Sequence, residues 1–264
     1  MSGQPSRTSR RGSDELGLPR LHLRRTTSTN ERARELAAAG APHGTLVTTA
    51  EQTAGRGRQG RVWVAPPGSS LLCSVLIRDP PRLLPLAAGA AVAAATDTAL
   101  DVASGGAAAG ALAAASGGVD APRTSAAIKW PNDILLDGRK VAGILVEGRP
   151  QEGWAVVGIG LNVAVPQTDF PPELADRAGT LGLTSNEIEP TLQTLLTNLE
   201  HWLTADAETL LAEIRERDAL RGQPVRWAGG EGKGDGIDGE GRLVVLTPDQ
   251  NRVALNAGEV HLLR

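Results

Sequence analysis

The most chemically pointed stretch of this 264-residue sequence is TTAEQTAGRGRQGRVW, Thr48 to Trp63, where three arginines are threaded between three glycines. Glycines let backbone amides approach a ligand closely, and each guanidinium offers two parallel N–H donors to a phosphate or carboxylate. Arg56, Arg58 and Arg61 therefore suit a polyanion held by a loop. The competing readings are a solvated turn or a patch of nonspecific nucleic-acid affinity. The stretch is not GxxxxGK[ST], and it lacks the helix-opening context of GxGxxG, so neither common nucleotide fingerprint applies.

A second signal is the scarcity of lysine: of 27 basic residues only Lys129, Lys140 and Lys233 are lysines. The abundance of Ala, Gly and Pro suggests a coding bias that puts Arg wherever either cation serves. Two of the three lysines fall within twelve positions of each other in IKWPNDILLDGRKVAGILVE. An ammonium is a compact point charge and a guanidinium a planar fork, so a site that needs the first does not accept the second. With three lysines, coincidence is the competing reading.

Strand parity assigns faces. In an extended RKVAGILVE, Lys140, Ala142, Ile144 and Val146 are expected on one side. In AVVGIGLNV, Gly158, Gly160 and Asn162 share a face opposite Val157, Ile159 and Leu161. Two missing side chains beside an amide leave a slot for a flat ligand read by Asn162, or else allow a helix to pack tightly on the strand.

The elements that must carry these residues follow from pattern. Residues 1 to about 20 are polar and Ser/Arg-rich and are expected to be a disordered tail. A helix is predicted from Asn30 to Ala39, capped by Ser28-Thr29-Asn30 and stopped by Gly40. Strands are predicted over 45–51 and SSLLCSVLI, an Ala-rich helix over 83–101, and a strand ending at Lys129-Trp130. A hairpin turning at Asp137-Gly138 and a strand over 155–163 come next. One helical region is predicted from Thr191 to Leu220. The segment DVASGGAAAGALAAASGGVDAPRTSAA reads as an expanded low-complexity connection. After Gly222, short β-runs predict a small separate barrel, with GEGKGDGIDGEG too loose for a strand pair. The organisation expected is a tail at 1–20, a main domain at 21–220 and a β domain at 221–264.

A net charge of −3 argues against a general nucleic-acid binder, so the arginine cluster acts locally. Cys73, alone in an apolar run, reads as core. No window is read as approaching membrane-spanning apolar length, and the start carries charge without an apolar secretory segment, so a cytoplasmic protein is expected.

Together, STN, EQTAGRGRQGRVW, KWPNDILLDGRKVAGILVE, GIGLN and GEVHLLR resemble a biotin protein ligase of the type without an N-terminal winged helix, over about residues 21 to 264. The resemblance implies an α/β fold like class II aminoacyl-tRNA synthetases, a mixed sheet with flanking helices plus an SH3-like C-terminal barrel. It implies ATP-dependent formation of biotinyl-5′-AMP and transfer of biotin to a lysine of a carboxylase's biotin carboxyl carrier domain. ATP and biotin are then substrates, with Mg²⁺. Lys140, Arg56 and Arg58 are implied as catalytic. Ser28, Thr29, Asn30, Gln52, Gly55, Arg56, Lys140 and Gly143 are assigned to biotin. Arg56, Arg58, Arg61, Trp63, Lys129, Asn132, Asp133, Lys140 and Asn162 go to the nucleotide, with Asp133 also as metal ligand. Trp63 either stacks on the adenylate or covers core, Ser28-Thr29-Asn30 is also a plain helix cap, and Asp133 is also a turn closer. A homodimer is compatible with the resemblance. Roughly 20 residues precede His22, against the 50 or so of a small domain, so no repressor role and no specific DNA partner are expected. A lipoate or octanoate ligase of the same fold, separable by isotope exchange with each acid, is the enzymatic alternative. A nucleic-acid-binding protein using GRGRQGR is the other, disfavoured by an aromatic content of 2% with no tyrosine.

Overall fold

The computed structural model describes residues 15–105, 125–256 and 258–263. A seven-stranded mixed sheet has the order β1 (Arg20–Leu23), β2 (Leu46–Thr49), β3 (Ser70–Arg78), β7 (Trp154–Asn162), β6 (Arg139–Arg149), β5 (Asp133–Leu136), β4 (Ala127–Lys129). Only β1 and β2 pair in parallel. Side-chain alternation then divides the sheet into two faces. Val157, Ile159 and Leu161 of β7 join Leu71, Cys73 and Val75 of β3 in the main core, covered by α2 (Leu84–Ala103), α3 (Ile188–Thr204) and α4 (Ala207–Glu216). On the opposite face α1 (Thr29–Ala38) sets Ala33 and Ala37, one turn apart, against Val47, Leu76 and Val156. The rest of that face is open.

Local chemistry accounts for most of these elements. α2 is rich in alanine, and at Gly89 the Ile128 side chain is only 3.8 Å from where a Cβ would be, so the helix lies close on the sheet. The β5–β6 connection has Asp137 at φ 50 and Gly138 at φ 73, the two consecutive left-handed residues that a two-residue hairpin loop requires.

Several expectations are corrected. Residues 15–20 are not a disordered tail: Leu16 is buried, its N–H donates to Glu200 Oε1 at 2.6 Å, and β1 begins at Arg20. Residues 1–14 lie outside the described residues, as do 106–124 of the low-complexity segment. The single helical region splits at Ala205, because Asp206 accepts the Thr209 N–H and opens a new helix. The apolar window does exist: α2 is long and apolar enough by length and composition to cross a membrane, and here it is a core helix with its apolar face buried. GEGKGDGI is not loose but forms strand β9 (Gly230–Ile237).

That strand belongs to a second, antiparallel sheet ordered β11 (Arg252–Leu255), β10 (Leu243–Leu246), β9, β8 (Pro224–Trp227), β12 (His261–Leu262). A Cβ at Gly232 or Gly234 would lie 2.5 Å from Leu246 O or 2.0 Å from Leu220 O, so alternate glycines here admit neighbouring backbone. The end of β9 and the β9–β10 turn are tied to the main sheet and its helices: Trp130 Nε1, just past β4, donates to Gly241 O at 3.1 Å, and Arg215 Nε on α4 donates to Ile237 O at 2.8 Å.

Candidate active site

The open face beside α1 forms a cavity of about 720 Å³. Every residue implicated from the sequence lines it except Gly55. Gly55 instead closes the loop. Its carbonyl accepts the Trp63 N–H at 3.0 Å, and a Cβ would sit 2.3 Å from Trp63 O.

One wall is polar, uncharged and buried. Ser28, Thr29 and Asn30 are each less than 5% exposed. Ser28 is at the N-cap of α1 but makes no side-chain cap, which corrects the capping expectation. The Thr29 N–H donates instead to Gln52 Oε1 at 2.8 Å, so an orphan helix donor is satisfied from the loop after β2. The Thr29 and Asn30 side chains turn inward to Ser74 Oγ at 2.8 and 2.7 Å.

The other wall is cationic, and a backbone irregularity creates it. β5 and β6 pair as Ile134↔Ala142 and then Leu135↔Lys140, leaving Val141 as an extra residue. Val141 and Ala142 are thus both in the core, while Lys140 swings to the face of Gly143, where a Cβ would lie 3.1 Å from Lys140 Nζ. The expected sharing of a face by Lys140 with Ala142, Ile144 and Val146 is therefore wrong. A bulge re-aims a side chain in this way wherever one residue is inserted into a ladder. It also frees the Lys140 backbone, whose N–H and C=O bond Arg177 O and the Gly179 N–H at 2.7 and 2.8 Å.

Lys140 Nζ lies 2.6 Å from Asp133 Oδ1, and Lys129 Nζ lies 3.6 Å from Asp133 Oδ2. Burial pulls the Lys129 ammonium below the ordinary lysine range; Asp133 opposes this and the neighbouring Lys140 adds to it. With two ammoniums on it, Asp133 is a counter-ion in the resting site. Among the described residues no group of three or more His, Cys, Asp or Glu is arranged to hold a metal.

The arginine loop closes over both walls. Arg58 donates to Asn132 Oδ1 at 2.9 Å and to Gly258 O at 3.2 Å, Arg61 pairs with Glu259, and Arg56 Nη2 is 3.5 Å from Glu147. These partners turn the guanidiniums inward, unlike a free basic patch. Asn132 is itself fixed by donating to Ile144 O at 3.0 Å.

Parity on β7 is as expected, but its three small positions do different things. Gly158 makes room for Asn30, whose Oδ1 would be 1.9 Å from a Cβ there, so helix packing accounts for this glycine. Gly160 lies under the Trp63 indole, 2.6 Å from a Cβ to Cε2, and the flat group in the slot is the protein's own. The indole Nε1 is buried without a hydrogen-bond partner among the described residues. Asn162 accepts from Ser70 Oγ at 3.2 Å and donates to Gly179 O at 2.9 Å, so its amide is already oriented from both ends.

The full sequence matches the Biotin/lipoate A/B protein ligase family over residues 22–163. The chain belongs to this family. It is 34% identical over 255 residues to the biotin–[acetyl-CoA-carboxylase] ligase of Mycobacterium tuberculosis, covering 90% of this chain and 87% of that protein. It is 39% identical over 170 residues to the bifunctional ligase/repressor BirA of Bacillus spizizenii, covering 61% of this chain and 45% of that longer protein. The chain thus spans under half the length of that bifunctional relative. Among solved structures, the biotin protein ligase of Aquifex aeolicus in complex with biotin and ATP superposes with a TM-score of 0.70 at 27% identity, covering 93% of this chain and 98% of that one.

Two residues that hold the family member's cavity lining from behind, Ser74 and Glu147, and one segment at its mouth receive no role from the sequence. Ser74 and Glu147 carry a usable signal, a polar residue inside an apolar strand. The segment Gly258–Leu263, part of the GEVHLLR motif but given no site role from the sequence, lines the mouth; its approach is set by the docking of the second sheet.

Proposed function

We propose that this chain is an ATP-dependent biotin protein ligase that makes biotinyl-5′-AMP and transfers biotin to a lysine of a biotin carboxyl carrier domain. The observation that carries the reading is one cavity with a buried, uncharged hydrogen-bonding wall next to a cationic wall. A ureido ring needs matched neutral donors and acceptors; a carboxylate meeting a triphosphate needs cations.

In the first step the biotin carboxylate oxygen forms a bond to the α-phosphorus and the α–β bridging bond breaks, releasing pyrophosphate. Both partners are anions, so catalysis consists of cancelling repulsion and holding them in line. Lys140 leaves Asp133 to bridge the carboxylate and the α-phosphate. Lys129, Arg56, Arg58 and Arg61 hold phosphate oxygens, Asn132 and Asn162 orient the nucleotide, and Trp63 lies flat against it. Ser28, Thr29, Asn30 and Gln52 take the ureido ring, with Gly55 and Gly143 giving it room. In the second step the carrier lysine's neutral amine attacks the acyl carbon, AMP departs and the amine loses its proton. The closed loop keeps water from the anhydride.

Mg²⁺ enters as part of the Mg·ATP substrate, a cation of the kind held by one or two carboxylates plus phosphates. Asp133 suits it once the lysines have moved to the phosphates. On this reading residues 21–220 hold the ligands and 221–264 supply the outer wall. Biotin-dependent ATP–pyrophosphate exchange tests the proposal, with lipoate as the control acid. Exchange supported by lipoate and not by biotin would refute it.

A further inference from the structure

Glu147, outside the set just assigned, is on β6 and faces the same side as Gly143. Its Oε2 accepts from Asn30 Nδ2 at 2.9 Å, while Oε1 is 3.4 Å from Arg34 Nη1 and 3.5 Å from Arg56 Nη2. The two guanidiniums are not equivalent. Arg34 sits in the middle of α1, whereas Arg56 is on a glycine-rich loop with its side chain 46% exposed. Arg56 can depart without stranding a carboxylate only 21% exposed, because Arg34 remains.

The same carboxylate fixes the sense of the polar wall. Asn30 Nδ2 faces two groups that can only accept, Glu147 Oε2 and Leu145 O at 3.2 Å. Asn30 Oδ1 must then take the single Ser74 hydroxyl proton, while the Thr29 hydroxyl has two acceptors in reach, Gln52 Oε1 at 3.2 Å and Ser74 Oγ at 2.8 Å. Donation runs one way, from Ser74 through Asn30 to Glu147.

We infer that Glu147 is a positioning residue that holds Arg56 in the ligand-free loop, surrenders it to an arriving carboxylate or phosphate, and orients the hydrogen-bonding row. The identity of that anion rests on the biotin-adenylation reading; the holding of the loop does not. A ligand anion competes with Glu147 for one guanidinium, so neutralising Glu147 loosens the empty loop and favours the loaded one.

The test is Glu147→Gln in the full chain, which keeps the volume and the acceptor for Asn30 and removes the charge. In the ligand-free protein, amide hydrogen exchange over residues 54–61 is expected to speed up by about two- to five-fold, the range of a partly exposed ion pair. Unchanged protection there would overturn the inference. Biotinyl-AMP should bind about two- to five-fold tighter, and this gain should vanish in an Arg56→Ala background. A gain that persists without Arg56 would show a merely structural effect and also overturn it. Should Glu147→Gln not fold, Arg56→Gln cuts the same pair from the exposed side and must give the same faster exchange. A wild-type protein without biotin-dependent exchange would defeat the functional reading, while the ligand-free measurement still judges the role of Glu147.

Discussion

Gly158 and Gly160 are two residues apart on one strand and one face, yet adding the same methyl group to each is expected to do opposite things. At Gly158 the new Cβ would lie 1.9 Å from Asn30 Oδ1, in a side chain 3% exposed and bonded to Ser74, Glu147 and Leu145 O. Overpacking adds about 2 kcal/mol of destabilisation, and disrupting hydrogen bonds that end on a carboxylate adds about 2 more. Replacing glycine in a strand returns about 0.7 kcal/mol, leaving a net loss of roughly 3 kcal/mol. At Gly160 the Cβ would lie 2.6 Å from Trp63 Cε2, but the indole belongs to a loop that can lift. Gly160→Ala should therefore stay within about 1 kcal/mol of wild type and instead weaken ligand binding by filling the slot. Urea unfolding followed by far-UV circular dichroism reads the first quantity and titration calorimetry with biotin the second. Equal stability losses in the two variants, or a larger one in Gly160→Ala, would refute the division of roles.

Lys140→Ala should lower adenylate formation by about 10²-fold or more while stability falls by less than about 2 kcal/mol, because Lys129 stays beside Asp133; Lys140→Arg should also fail, as pyrophosphate exchange would show. Lys129 has a folded-state pKa below its unfolded value, so the unfolded chain binds more protons just below pH 10.5 and stability should rise with pH in that window. The buried Cys73 thiol has the opposite slope above pH 9, so the expected result is a difference: from pH 8 to 10.5 the unfolding free energy of wild type minus that of Lys129→Met should rise, and a flat difference would refute the assignment. Burial pushes the Cys73 thiol up to about 12, so a thiol reagent at pH 8 should modify it only as the protein unfolds; rapid labelling of the folded protein would contradict this.

What could be read from the sequence was whatever obeyed an unbroken period. β7 pairs without interruption over nine residues with β3 and eight with β6, so parity assigned its faces correctly. β6 has the same appearance in sequence, but its bulge exists only in the pairing with β5, and so the face of Lys140 was misassigned. The Ser28-Thr29-Asn30 run has the composition of a cap, and only the proximity of Gln52 and Ser74 reveals that its side chains point into the cavity. Alternate glycines in β9 imitate a turn because the backbone that requires them comes from distant residues. The arginine loop was legible as an anion site; its carboxylate partners Glu147 and Glu259 were not, since each reaches it through the tertiary fold.

The hydrogen bond from Arg58 to Gly258 spans 200 residues of chain. At synthesis rates of about 5–20 residues per second, that separation is roughly 10–40 s between the emergence of the two partners. Throughout this interval the nascent loop holds its arginines without the wall that will receive Arg58 and Arg61, while Glu147, made before the interval is half over, becomes available to Arg56 first. The site thus matures in an order set by translation: the polar wall and lysines first, the arginine loop anchored at one end, and the mouth last. A ribosome stalled before Gly258 would display a folded sheet with an open cavity, so competence for chemistry lags well behind the appearance of native secondary structure.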